Sequence, residues 1–386
     1  MNKSDSDTVR GSRRFVICLC GLVLFSLFSN SLSAAPDRSF FDQLLDSSKQ
    51  AFNKGNYTLA ETELRQAVAV AGANGDSGAQ MSLAIGNLGS ALLSQGRYAE
   101  AETSFVRAIA ILKSSGSADK RPLPVLLGNL GKLYQQSGRY KLAESVLREA
   151  LKVGAQLFAD SPMYMADLHN SLGVVHFAMG NKKQAERDLR KAVALANEAS
   201  DGNPGRTYIL SNLATLYFMQ QKWSLAEESL LGSIKAVELS SGTDHPDLCP
   251  LLEHVGHMYV QKHELLKAET VMRRALAIRE NSLGPESAYT AESKARLAEV
   301  LAASGAYEEA GQLYSEALKT QERVLGPQAP GVLTSMEGLA YVLRQTHKED
   351  LAQNMEARVE SIRVQSFYTV SVKDLGGARI GKAPQR

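Results

Sequence analysis

The sequence predicts an all-α protein, a solenoid of about eight antiparallel helix pairs, and three observations carry that prediction. The first is the stretch GNLGKLYQQSGRYKLAESVLREAL (128–151), which reads as two helical patterns joined by a Ser-Gly turn. Leu130, Leu133 and Tyr134 recur at helical spacing before the turn. After it, Leu142, Ala143, Val146, Leu147, Ala150 and Leu151 form one apolar stripe, with Glu144, Arg148 and Glu149 off it. Gly138 separates the two helices, because glycine takes a left-handed backbone angle without steric cost. The second observation is recurrence. The small residue near the start of the second helix returns as Ala60, Ala101, Ala143, Ala185, Ala226, Ala268, Ala310 and Ala352, at intervals of 41 or 42 residues. The third is register: a second small position follows seven residues later, from Ala67 to Ala317, failing only at Val359. Twelve residues before the alanine stand Gly89, Gly131, Gly173, Ala214, Gly256, Ala298 and Ala340.

Leu130-Gly131, Tyr134, Gly138, Ala143, Leu147 and Ala150 together resemble the signature of the tetratricopeptide repeat. The usual unit of that family is about 34 residues. A 42-residue period therefore adds roughly one turn to each helix, and is similar to the kinesin-light-chain type of repeat. The linkers ENSLGPES (280–287), ERVLGPQAP (322–330) and SSGTDHPD (240–247) strengthen the likeness, which spans about residues 38–366. The resemblance implies a right-handed superhelix whose first helices line a concave, peptide-binding surface. It is specific for fold and nearly silent about function.

In chain order, Lys3, Arg10, Arg13 and Arg14 precede the apolar run FVICLCGLVLFSLF (15–28) and the small residues SNSLSAA (29–35). That is the layout of a secretory signal peptide over residues 1–35, with a run short of the roughly 20 residues that span a bilayer. Export by the general secretory route to the periplasm or the extracellular space follows, with an uncleaved, membrane-tethering anchor as the alternative. Without those residues, 39 basic and 39 acidic side chains remain, and Cys249 is the one cysteine left, read as a small buried hydrophobe. The array is expected over 36–366. Its turns fall at Gly55, Gly138 and their equivalents, at Gln221-Lys222 in the fifth unit, and at His263 and His347 in the sixth and eighth, where the turn conformation is left open. Glu356 and Val359 break the pattern in the last unit, as suits a terminal cap facing water. Residues 367–386 leave the repeat as a C-terminal tail.

A charge balance of 43 Lys and Arg against 41 Asp and Glu argues against nucleic acid as the main partner. No nucleophile–base arrangement, phosphate loop or paired-carboxylate motif stands out, so the expectation is a non-enzyme without a cofactor. His254 and His257, at i and i+3 with His263 six residues on, are the strongest metal candidate. They lack an HExxH context, and structural or groove-lining roles are favoured. His176 stands where Tyr134, Tyr217 and Tyr259 stand in other units, and is read as packing.

The better functional signal is a polar row on the first helices. It comprises Asn87, Asn129, Asn170 beside Ser171, Asn212, His254 and Arg296, with Lys132, Gln135 and His257 nearby. By the resemblance, asparagines here grip the backbone of an extended peptide. A carboxamide offers the donor and the acceptor that a peptide bond requires. The bland alternative is that the row bonds only to neighbouring helices. His254, His257 and Arg296 would make the later groove basic or pH-responsive. The expectation is an exported scaffold that binds a protein or peptide segment in its concave groove. The alternatives are a structural subunit of an envelope or secretion assembly working through convex and terminal faces, and a metal protein around His254, His257 and His263.

Overall fold

The computed structural model describes residues 40–73, 78–115, 120–158, 160–199 and 204–375. The expected signal peptide and the last eleven residues of the expected tail lie outside them. Among the described residues there are sixteen helices and no strand. They fall into two compact units that divide between Lys222 and Trp223. The first unit holds α1 (Phe40–Asn53), α2 (Tyr57–Ala73), α3 (Ala79–Ser94), α4 (Tyr98–Ser114), α5 (Pro122–Gln136), α6 (Tyr140–Leu157), α7 (Pro162–Ala178), α8 (Lys182–Glu198) and α9 (Pro204–Met219). The second holds α10 (Trp223–Ser241), α11 (Leu248–Gln261), α12 (Leu265–Leu283), α13 (Ala288–Ala303), α14 (Tyr307–Leu325), α15 (Pro330–Gln345) and α16 (Glu349–Leu375). Within each unit a helix packs on its hairpin partner and on the helix that follows, as a helical-repeat solenoid requires.

The hairpin of α5 and α6 shows how the sequence makes this unit. Pro122 occupies the first turn of α5, where a missing N–H costs nothing. The helix ends because Gly138 turns left-handed (φ 73°). There the Arg139 N–H donates to Tyr134 C=O at 2.8 Å and the Gly138 N–H to Gln135 C=O at 3.1 Å, a Schellman pair that satisfies the last carbonyls. The same two bonds recur at Gly55, Gly96, Gly180 and Gly305. They also recur at Gln221 (φ 57°), His263 (φ 59°) and His347 (φ 57°), so the turns that the sequence left open adopt the glycine conformation without glycine. The two backbone bonds outweigh a left-handed penalty of about 1–2 kcal/mol.

The small residues set the distance between paired helices. Ala143 and Ala150 are fully buried, as are their equivalents from Ala60 to Ala317. A Cβ on Gly131 would stand 2.6 Å from Leu147 Cδ2, one on Gly173 2.7 Å from Leu189 Cγ, and one on Gly256 2.5 Å from Met272 Cε. Those contacts are too close for real atoms, so the glycine is the socket for the large residue four after the alanine. Gly338 serves differently, giving room to the Tyr314 ring. Cys249 is buried with its thiol towards Ala275 C=O at 3.5 Å, and burial pushes the thiol up. In the last hairpin Val359 is buried, whereas Glu356 faces solvent and pairs with Arg344 at 2.7 Å. Helix α16 continues past residue 366 to Leu375, so its backbone runs on into the expected tail. No helix among the described residues is long and apolar enough to cross a membrane.

Candidate functional site

In the first unit, α3, α5, α7 and α9 lie side by side, and the expected carboxamide row runs across them. Asn87, Asn129 and Asn170 are buried, and Asn212 is half-buried. Asn129 donates from Nδ2 to Ser90 Oγ at 3.2 Å, and Asn212 donates from Nδ2 to Asn170 Oδ1 at 2.9 Å. Each of these amides thus ties its helix to the preceding first helix. Asn170 remains incomplete: its own Nδ2 is buried with no acceptor among the described residues. Gln135 is buried, and Lys132 extends to Asp167 Oδ2 on α7 at 2.8 Å. This side of the unit therefore carries half-buried polar groups on a buried polar base.

A second polar row, behind the first, was not read from the sequence. The carboxylate next to the small alanine reaches forward to the following hairpin. Glu102 accepts from the Tyr134 hydroxyl at 2.9 Å and pairs with Arg139 at 2.8 Å. Glu144 takes the equivalent place against His176, 3.2 Å from Nε2. His176 is fully buried, as packing predicts, and its Nδ1 also stands 2.8 Å from Asp188 Oδ2. Burial raises the Asp188 carboxyl, but the His169 and His176 rings outweigh it and hold it below its ordinary value. The signal for this row was present in the recurring Ala-Glu pairs at Glu61, Glu102, Glu144, Glu186, Glu227 and Glu269.

In the second unit the first-helix residues are His254 and His257 on α11 and Arg296 on α13, all half-buried. Arg296 donates from Nη1 to His257 Nε2 at 2.8 Å and from Nη2 to Glu292 Oε1 at 2.7 Å. A guanidinium has no lone pair to offer, so His257 Nε2 is the acceptor and its ring is neutral. Burial lowers the His257 imidazole to about 4, with Arg296 adding to the effect. Burial lowers His254 to about 4 as well, with His257 and Arg296 as lesser causes. The groove expected to be basic or pH-responsive thus holds Arg296 beside two imidazoles that burial keeps neutral down to about pH 4. Beneath them lies a buried ion pair that the sequence did not reveal. Glu253 Oε1 is 3.0 Å from Arg279 Nη1, and Arg279 also donates to Ser293 Oγ at 3.0 Å and to Tyr289 C=O at 2.8 Å. Burial raises the Glu253 carboxyl, against the pull of Arg296 and Arg279. Glu253 falls inside an apolar-looking helix, so nothing marked its partner 26 residues away.

His257 spends its Nε2 on Arg296, and His263 sits in the left-handed turn after α11. Among the described residues no group of three His, Cys, Asp or Glu side chains is placed to hold a metal ion.

Residues 50–363 match the tetratricopeptide repeat family in seven overlapping stretches, the first over 50–114 and the last over 289–363. The chain belongs to the tetratricopeptide repeat family. Members of this family are helical-repeat scaffolds typical of protein–protein interaction. A clustered mitochondria protein homolog of Aspergillus oryzae is 29% identical over 126 residues, 33% of this chain and 10% of that protein. This chain therefore spans about a tenth of that relative. Among solved structures, the apo quorum sensor NprR of B. thuringiensis aligns with a TM-score of 0.58 at 14% identity, over 85% of this chain and 89% of that one. BtubC (BKLC) of P. vanneervenii aligns with a TM-score of 0.53 at 17% identity, over 64% and 95%. At these identities the structural likeness is one of fold.

Proposed function

We propose that this chain is a non-catalytic scaffold that holds an extended segment of another protein against the first-helix faces of its repeats, outside the cytoplasm. The observation that carries the reading is Asn170. A buried carboxamide donor without an acceptor is uncommon and costs about 1–3 kcal/mol. Its oxygen is bonded to Asn212, which is itself half-buried at the surface of the row. A peptide carbonyl arriving at Asn212 would let that pair rearrange and complete both amides. In the first unit Lys132 stands beside that pair, over the buried amides of Asn87, Asn129 and Gln135. His254, His257 and Arg296 offer a neutral acceptor and a cation in the second. Export is supported by the layout of residues 1–35, and cell fractionation of a tagged chain tests it.

The decisive test selects peptides from a displayed library on the wild-type chain. Their affinity is then measured for an Asn87→Ala, Asn129→Ala, Asn212→Ala variant and for Lys132→Ala, each first shown to keep wild-type helicity and melting. The reading expects selected peptides to lose tenfold or more in the triple variant, the scale of one lost hydrogen-bond pair. Unchanged affinity in both variants would make the row a purely internal bond between helices. A second reading, an assembly subunit using its end, is favoured by an open groove of about 670 Å³ on the last hairpin, lined by Glu337, Tyr341, Arg344, Glu356 and Arg363. Peptide cross-links mapping there instead of to α5, α7 and α9 would support it.

A further inference from the structure

The chain as a whole is nearly neutral, yet one outward surface of the first unit is not. On α8 the buried stripe is Ala185, Leu189, Ala192 and Ala196. On the opposite side of that helix stand Lys183, Arg187, Arg190 and Lys191, all exposed and none paired with a carboxylate among the described residues. Two of the three acidic residues of α8 are engaged elsewhere, and the third, Glu198, stands on this face two turns beyond Lys191. Glu186 holds Lys222 at 2.7 Å, and Asp188 is buried against His176 at 2.8 Å. The preceding second helix, α6, adds Lys141 and Lys152, which are also exposed and without a carboxylate partner among the described residues. Its outward carboxylate, Glu149, is taken by Lys113 at 2.9 Å.

This surface is not a by-product of the repeat. Where α8 has Lys183, Arg187, Arg190 and Lys191, the equivalent positions of α4 read Ala99, Thr103, Val106 and Arg107. The bridge between second helices also changes. Lys113 of α4 and Glu149 of α6 cross between neighbours, whereas one repeat on the same positions are Ala155 and Lys191. A cross-link has been replaced by an outward cation. Among the described residues, Glu198 is the one acidic side chain of α8 left on this face, so six cations on two helices outnumber it and repel one another unless an external anion offsets them.

We propose that the outward face of α6 and α8 is a docking surface for an anionic lipid bilayer. The cations lie on the outer surfaces of helices rather than in a cleft, so their partner must present charge as an open sheet. Four of the six are lysines, whose compact, strongly hydrated ammonium groups suit diffuse attraction to headgroups over bidentate recognition of one fixed group. Leu142, beside Lys141, is 48% exposed, an apolar side chain at the level where headgroups meet acyl chains. Basic clusters next to exposed apolar side chains are attracted to anionic leaflets within a Debye length. The proposal is independent of the peptide groove, which uses the first helices.

The test is co-sedimentation of the chain, as recovered from expressing cells, with vesicles of phosphatidylcholine alone and with added phosphatidylglycerol. Any binding through residues 1–28, whose Lys3, Arg10, Arg13 and Arg14 also favour anionic lipid, is common to the wild type and the charge-reversal variant and cancels in that comparison. The phosphatidylglycerol-dependent part is expected to weaken steeply with salt. It should fall about tenfold or more in a Lys183→Glu, Arg187→Glu, Arg190→Glu variant that keeps wild-type helicity. The Asn87→Ala, Asn129→Ala, Asn212→Ala variant should bind vesicles normally, which separates this surface from the groove. No phosphatidylglycerol-dependent binding, or binding unchanged by the charge reversal, overturns the proposal. So does a preference for duplex DNA or polyglutamate over vesicles at equal salt, since the surface would then serve another polyanion.

Discussion

His257 shows how far one residue's chemistry depends on what is stacked against it. As an isolated side chain it would titrate near neutrality; under Arg296 and in a half-buried setting it is lowered to about 4, and His254 with it. The sign of the consequence follows from linkage. Their folded values lie below the unfolded value near 6.5, so the folded state is favoured at pH above 6.5. That stability is lost as pH falls from about 6.5 to about 4, because the unfolded chain takes up the protons first. At full strength the loss is about 3 kcal/mol for each ring, and solvent around these half-buried groups reduces it. Denaturant titrations across that window should show it, and His254→Gln with His257→Gln should flatten the slope. A slope unaltered by both substitutions would mean that carboxylates alone set the acid response. The turn residues make a second residue-scale case. Gln221, His263 and His347 hold positive φ angles that glycine takes freely. His263→Gly or His347→Gly should therefore raise stability by about 0.5–1 kcal/mol, the left-handed penalty less the added freedom of the unfolded chain.

Between elements, two kinds of contact decide how helices meet. One is the glycine socket, in which Gly131 lets α5 close on Leu147 of α6. Gly131→Ala forces a methyl to within 2.6 Å of that side chain and should cost about 1–3 kcal/mol. Adding Leu147→Val to it should recover part of the loss. The other is the buried Glu253–Arg279 pair that joins α11 to α12, fixed further by Ser293 on α13. Arg279→Met leaves Glu253 with Arg296, 3.3 Å away, and the Ser293 hydroxyl, and should destabilise by about 1–3 kcal/mol. The Glu253→Met, Arg279→Met double variant should return part of it, since Arg296 then keeps Glu292 as its partner. Thermal melts of the three proteins complete a double-mutant cycle, and additive losses would show that the two charges do not interact.

Within each unit, hairpins touch their neighbours and little else, so stability there is a sum of local terms. Gly131→Ala in the first unit and Gly256→Ala in the second should each lower amide protection in its own unit, with free-energy effects that add within about 0.5 kcal/mol. Hydrogen exchange resolved by peptide checks this. A loss of protection spreading evenly through both units would instead make the chain one cooperative body. Binding belongs to this scale too, because the outward surface of α6 and α8 and the first-helix row are assembled from several repeats.

The amino-acid sequence by itself determined the repeat, its register, the helix pairs and most of the turns. These rest on local spacing: a glycine twelve residues before an alanine, or an apolar residue every third or fourth position, acts within one hairpin. It also marked Val359 and Glu356 as the place where the pattern ends. Only the tertiary structure decided which polar groups meet. Asn212 and Asn170, Glu144 and His176, and Glu253 and Arg279 are brought together from different helices, at separations that no local rule specifies. It likewise decided that Asn129 is buried and that Lys183, Arg187, Arg190 and Lys191 pair with no carboxylate among the described residues. Burial and pairing depend on how neighbouring helices are packed, whereas spacing along one helix is written in the chain.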